Sequence, residues 1–276
     1  MTGTLREAAE KWFGIKADPG DLLKLKEYIL GTYGGLAPKT LEKVFSSGEA
    51  AGFLTVNETY FFREGAHFDL LRDLLPSYES TGLQLCCAAV ASGCEAYSIA
   101  MLIESYNKSA LCPIQYHIDA FDLNPKVIEA ASRGMYSERT LREDGSCFRH
   151  LTDTGLEKLE DGYRVKDHLK KNVNFFVHNL MDALPPKEYD IVFFRNAFIY
   201  FLPQHRERIL SNLSAVLKKD GLLILGVSET AGARHADFEE INCNVKNKEE
   251  KTNTDIFYFR KSKPPPLSIY RSGNVL

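Results

Sequence analysis

Five short apolar runs, separated by helical patterns, most constrain what this chain can fold into. LQLCCAAV (Leu83 to Val90), YHIDAFDL (Tyr116 to Leu123), VNFFVHNL (Val173 to Leu180), DIVFFRNA (Asp190 to Ala197) and GLLILGVS (Gly221 to Ser228) are almost continuously apolar. Such runs suit parallel strands buried on both faces. Between them, AYSIAMLIESY (Ala96 to Tyr106), PKVIEAASRG (Pro125 to Gly134) and QHRERILSNLSAVLKKDG (Gln204 to Gly221) repeat apolar residues at helical spacing. The last carries Lys218 and Lys219 in its expected final turn and Gly221 after them, all favourable at a helix C-terminus. Strand alternating with helix predicts a doubly wound α/β domain.

The segments around this core differ in texture. DLLKLKEYILGTY (Asp21 to Tyr33) has helical spacing and meets Gly31, Gly34 and Gly35; a second short helix is expected near Pro38, and HFDLLRDLLP closes a further one at Pro76. Residues 1–75 are therefore expected to form a helical domain and 76–262 the α/β domain. Gly134 to Lys171 is polar, mixed in period and too long for a plain connection. It reads either as an insertion, at about 135–172, with local helix and a hairpin near GYRV, or as a loop. The Pro-rich residues 263–276 are expected to lie outside the fold.

Charge and cysteine usage narrow the function classes. With 34 basic and 37 acidic side chains the net charge is -3, so nonspecific nucleic-acid binding is a poor expectation. The start, MTGTLREAAEKWFG, carries charges where a signal peptide is apolar, and no run has the length of a membrane span. A cytoplasmic protein without membrane insertion is expected. The six cysteines show no CxxC spacing, so neither zinc nor a disulfide framework is expected.

Ligands of open α/β sheets bind beyond the carboxyl ends of the strands. After the first strand, Gly93 of ASGCEAYSIA allows a tight turn into a helix whose amide end favours polar or negative groups, although a simple turn glycine explains it equally. Glu95 is either a ligand group or an acid complementing the helix dipole. Asp122, ending the second strand, has the chemistry to accept both hydrogen bonds of a ribose diol. Asn124 before Pro125 is the better helix cap, which leaves Asp122 free. Two further runs, NETYFFRE with Asn57, Thr59 and Arg63, and FFRNAFIYF with Arg195, Asn196 and Tyr200, set polar groups among aromatics. An Arg-Asn pair at the end of an apolar strand needs a ligand or a polar network. His67 and His205 are expected on helix surfaces and His178 at a strand end, all structural.

Together NETYFFRE, ASGCEAYSIAM, FDLNPKVIEAASRGMY, Asn179 with Leu180, FFRNAFIYF and LKKDGLLILGVSE resemble the chemotaxis-receptor methyltransferase (CheR) family, from about Thr55 to about Glu229. The resemblance implies a helical N-terminal domain, a Rossmann-like domain with a small β-subdomain inserted, and methyl transfer from S-adenosylmethionine to receptor glutamates. Methyl esters and S-adenosylhomocysteine would be the products. It implies that Asn57, Thr59 and Arg63 close over the cofactor, Arg63 meeting the methionine carboxylate. By the same resemblance Glu95 faces the positive end of the methionine portion, Asp122 the ribose, and Asn179 with Leu180 the adenine. Arg195 and Asn196 border the cofactor, and Tyr200 stands beside the transferred methyl. Tyr200 and Arg63 are the expected catalytic pair, the partner is a chemoreceptor-like cytoplasmic domain, and a monomer is expected.

The sequence also departs from the family pattern. Cys94 and Ala96 stand where an acid and a proline are usual, and Asn124 where a second acid is common. The front lacks the family's arginine-rich helix; Lys24, Lys26, Lys39 and Lys43 supply some positive charge there, and ordinary solvated helix faces explain them better than a docking surface. Two alternatives follow: a methyltransferase of this fold with another acceptor, or a non-catalytic S-adenosylmethionine-binding signalling protein.

Overall fold

The computed structural model describes residues 2–142, 147–246 and 253–262. The front consists of α1 (Thr2–Phe13), α2 (Pro19–Tyr33), α3 (Pro38–Ser46), α4 (Ala51–Leu54) and α5 (Ala66–Leu74). In α2, Asp18 caps the first turn by accepting from the Gly20 amide at 2.7 Å. The helix runs through Gly31 and stops at left-handed Gly34, so of the three glycines the middle one terminates it. Leu5, Phe13, Leu25, Ile29, Val44 and Phe45 interlock as a core belonging to these helices. Only α5 leaves that group, burying Phe68, Leu70 and Leu71 against the sheet.

The sheet is seven-stranded. Its strands are β1 (Leu83–Ala88), β2 (Tyr116–Asp122), β6 (Val173–Val177), β7 (Tyr189–Phe194), β8 (Leu217–Leu225), β9 (Phe238–Lys246) and β10 (Asn253–Lys261). The spatial order is β6-β2-β1-β7-β8-β10-β9, and all pairings are parallel except those of β10, which runs antiparallel to β8 and to β9. Period-two geometry splits β1 between two cores: Leu85 and Cys87 face α6 (Cys94–Asn107), whereas Cys86 and Ala88 face α10 (Pro203–Val216). Side chains such as Ile191, Val192 and Ile224 are 0% exposed, and each contributes about 1.5–3 kcal/mol through burial. Continuous apolar strands are what a sheet covered on both faces requires.

The helix expected from Gln204 to Gly221 is shorter. It ends at Val216, and Leu217 already pairs with Tyr189 at the start of β8. Lys218 does not serve the helix dipole; its ammonium meets Asp190 at 2.8 Å, whose other oxygen accepts from the Gln84 amide. The last carbonyls of α10 are capped from a distant strand instead, by the buried Lys261, which donates to Ser214 O at 2.6 Å and Leu217 O at 2.7 Å.

After α7 (Pro125–Arg133), capped by Asn124, the chain leaves the sheet and builds a small antiparallel one. It comprises β3 (Met135–Tyr136), β4 (Leu156–Leu159) and β5 (Gly162–Val165) in the order β3-β5-β4, flanked by α8 (Arg149–Gly155) and α9 (Asp167–Lys170). The hairpin pairs Leu156 with Val165 and Leu159 with Gly162. The Pro-rich tail, 263–276, falls outside the described residues.

Candidate active site

Chain order reverses beside β1, which has β2 on one side and β7 on the other, and this opens a crevice at the carboxyl ends of the strands. The helical front covers it, giving a cleft of about 1010 Å³ with the open solvent at its mouth included. Asn57, Thr59, Arg63, Glu95, Asp122, Asn179, Leu180, Arg195, Asn196 and Tyr200 all line this cleft, although they come from segments up to 143 positions apart (200 − 57).

Gly93 does not line it. The residue caps α6 at φ 88°, and an added Cβ would stand 2.8 Å from the Ala131 Cβ and 3.0 Å from the Phe175 ring. Its role is to let the loop turn where helix and strand crowd it, which supports the site from behind. The adjoining loop holds Ala89 at φ 57° and Ala91 at φ 50°, left-handed conformations that an alanine adopts only under constraint. Part of that constraint is Asp122. Its Oδ2 accepts from the Ala91 amide at 2.9 Å and its Oδ1 from the Asn124 amide at 2.9 Å. Asp122 is therefore not free, as the sequence suggested; it ties the two strand-end loops together. Burial raises its pKa, with these backbone donors acting the other way. The Leu123 amide is directed at the carboxylate as well, so of its four lone pairs one is left for a ligand hydroxyl.

Beyond β7 lies a polar network. Arg195 is 6% exposed, with Nε 3.3 Å from Glu95 Oε2, Nη2 donating to the Arg63 carbonyl and 4.0 Å from Glu64 Oε2, and the guanidinium over the Phe68 ring. Nη1 has no hydrogen-bond partner among the described residues. Burial raises the Glu95 pKa against the opposing pull of Arg195. Glu64, which the sequence reading passed over, is the hub. It accepts from Asn196 Nδ2 at 2.7 Å and the Val227 amide at 3.3 Å, and lies 3.3 Å from His67 Nδ1. Burial works to raise its pKa, but His67, Arg195 and Asn196 outweigh that and hold it at about 2. His67 is thus no surface residue: it is 1% exposed, because α5 turns that face to the strand ends, and burial lowers its pKa.

The front contributes the opposite wall. Arg63 donates to Glu58 O at 3.1 Å and lies over the Tyr60 ring, which Arg142 covers as well. Asn57 is braced by Thr55, and Thr59 with Ser92 faces the Cys94 thiol, which burial pushes up to about 12 and so keeps from acting as a nucleophile. The end of α1 and the α1–α2 linker also reach in. Phe13 and Ile15 line the cleft, Trp12 O accepts from Asn179 Nδ2 at 2.7 Å, and Ile15 forms an antiparallel bridge with Phe201. His178 joins the lining beside Phe121, and burial lowers its pKa. Tyr200, 38% exposed, stands in a single turn of 3-10 helix, Phe198–Tyr200.

Comparison with known proteins decides the family. The family described as "CheR methyltransferase, SAM binding domain" matches residues 57–247, more than half of the chain. The chain belongs to the CheR methyltransferase family. The match begins at Asn57 and takes in every candidate residue to Tyr200. A chemotaxis protein methyltransferase of Vibrio parahaemolyticus is 37% identical over 203 residues, 71% of this chain and 72% of the relative. Chemotaxis protein methyltransferase 1 of Vibrio cholerae is 34% identical over 202 residues, with the same shares. A probable biofilm formation methyltransferase of Pseudomonas aeruginosa, WspC, is 28% identical over 240 residues, 84% of this chain and 50% of the relative. This CheR-family protein is an S-adenosylmethionine-dependent methyltransferase. Phe13, Ile15 and Leu54–Val56 line its cleft from outside the matched segment, as apolar or hydroxyl side chains that carry no motif of their own.

Proposed function

We propose that this methyltransferase esterifies glutamate side chains in the cytoplasmic domain of a chemoreceptor-like protein. The observation that carries the proposal is the meeting, in one cleft, of the NETYFFRE and FFRNAFIYF polar residues with half-exposed Tyr200, in a chain that aligns with two chemotaxis protein methyltransferases over 71% of its length.

The lining suits the cofactor chemically. Apolar Phe13, Ile15, Phe121 and Leu180 offer faces for a base, Asp122 keeps a lone pair for the ribose, and buried Arg195 Nη1 has donor capacity left. In this reading Asn179 and Leu180 border the adenine, Glu95 faces the ammonium of the methionine portion, and Arg63 reaches its carboxylate. Asn57 and Thr59 close the front wall, Arg195 and Asn196 hold the floor, and Gly93 acts from behind. Bound S-adenosylmethionine supplies an electrophilic methyl on a sulfonium.

No residue of the chain has to take a proton, since a glutamate carboxylate is already ionised at neutral pH and is itself the nucleophile. The chain's task is geometric. Tyr200 orients the incoming carboxylate, and the aromatic walls keep water from a reaction in which opposite charges disappear. Holding the reactants in line is worth roughly 7 kcal/mol or more. Among the described residues no helix is long and apolar enough to cross a membrane, and we assign the enzyme to the cytoplasm with its acceptor.

The test is transfer of labelled methyl to receptor cytoplasmic domains followed by alkali. Volatile methanol is expected; alkali-stable label would sink the glutamate-ester reading.

A further inference from the structure

Glu229 follows β8 at the cleft end of the sheet, is 2% exposed, and does not line the cleft. Its hydrogen-bond partners are backbone amides. Oε2 accepts from Asn196 at 2.6 Å and from Gly226 at 2.9 Å, and Oε1 accepts from Ile199 at 3.2 Å, with the Phe198 amide also directed at the carboxylate. The space around it is full: a Cβ at Gly226 would lie 2.8 Å from Glu229 Oε2 and 2.8 Å from Asn196 Nδ2.

These amides belong to the segment that presents Tyr200. Asn196 sits at φ 58°, a left-handed conformation that persists only when its surroundings hold it. Ile199 directly precedes Tyr200, whose own amide closes the turn on Ala197 O at 3.1 Å. Glu229 thus pins the segment just before the turn, at Asn196, and within it, at Ile199. Glu64 grips the same two loops from the front, through Asn196 Nδ2 and the Val227 amide. Only an acceptor on both oxygens satisfies this arrangement, because every partner is a donor; a carboxamide would turn its NH2 toward one set of N–H groups.

We propose that Glu229 is a positioning residue for methyl transfer, fixing through the Asn196–Ile199 backbone where Tyr200 meets the acceptor. The proposal rests on the role given to Tyr200 above.

Glu229→Gln preserves size and removes one acceptor. With a receptor cytoplasmic domain as acceptor, kcat is expected to fall about 10- to 100-fold while calorimetric affinity for S-adenosylhomocysteine changes less than about threefold. In the S-adenosylhomocysteine complex, hydrogen exchange at amides 196–201 is expected to quicken at least about tenfold. Glu229→Asp, an acceptor on both oxygens with shorter reach, should recover part of the rate. In a Tyr200→Phe background Glu229→Gln should add little, since both act through one group. Multiplicative losses in the double variant, a loss of product affinity matching the loss of kcat, or unchanged exchange at 196–201 would each overturn the proposal. Product binding reports whether the variant is folded, and Glu229→Asp carries the same comparison if the glutamine variant is not. If the wild type esterifies no receptor domain, the acceptor reading fails, while the exchange rates still decide the anchoring.

Discussion

Neutralising Glu64 should weaken the fold in a pH-dependent way. Folding lowers this carboxyl from 4.5 to about 2 even though burial acts in the opposite direction, because His67, Arg195 and Asn196 favour the charged form. That depression corresponds to about 3 kcal/mol of stabilisation. Since the folded pKa is the lower one, that stabilisation is fully present above pH 4.5 and is lost as the pH falls through about 2. Urea unfolding of the wild type and Glu64→Gln should therefore differ by about 2–3 kcal/mol at pH 7 and by less than half of that at pH 3. Taking the difference cancels the carboxylates that do not interact with Glu64; Glu95, whose pKa the Glu64 charge helps to raise, is the exception. A gap that stays constant with pH, or widens toward acid, would show that Glu64 is not held ionised by this network.

Three other outcomes follow from the site. Arg63→Ala should weaken calorimetric binding of S-adenosylhomocysteine about 10- to 100-fold, the loss of a charge-assisted pair; unchanged affinity would refute the assignment. Tyr200→Phe should slow transfer more than it weakens product binding, and equal losses in a kinetic and calorimetric comparison would count against its place beside the methyl. Gly93→Ala should lower stability by about 1–3 kcal/mol in urea, from positive φ and the 2.8 Å approach to Ala131, and a neutral result would mean that the loop relaxes freely.

The parallel strands were legible because burial on both faces leaves no polar alternation to mislead. The β9–β10 pair was not: FEEINCNVK alternates polar and apolar at the sheet edge and resembles loop as much as strand. Lys218 shows a similar limit, since a cation near a helix end looks the same whether it serves the helix or a carboxylate 28 positions away. In the site, motif spacing singled out the groups that line the cleft. Glu229 escaped it because its partners, the Asn196 and Ile199 amides among them, are backbone groups, and Glu64 because Asn196 Nδ2 and the Val227 amide reach it from segments more than 130 positions away. Asp122 was found for its place at a strand end, while its bond to the Ala91 amide depends on a left-handed loop invisible in composition.

The bridge between Ile15 and Phe201 has a practical consequence for dissecting the molecule. Lys16 N–H donates to Tyr200 O and Leu202 N–H to Gly14 O, so a five-residue stretch near the start of the chain is stitched to the turn carrying Tyr200 and, through Trp12 O, to Asn179. A fragment cut to the family segment, 57–247, would keep every motif residue and still be a cleft with one wall removed.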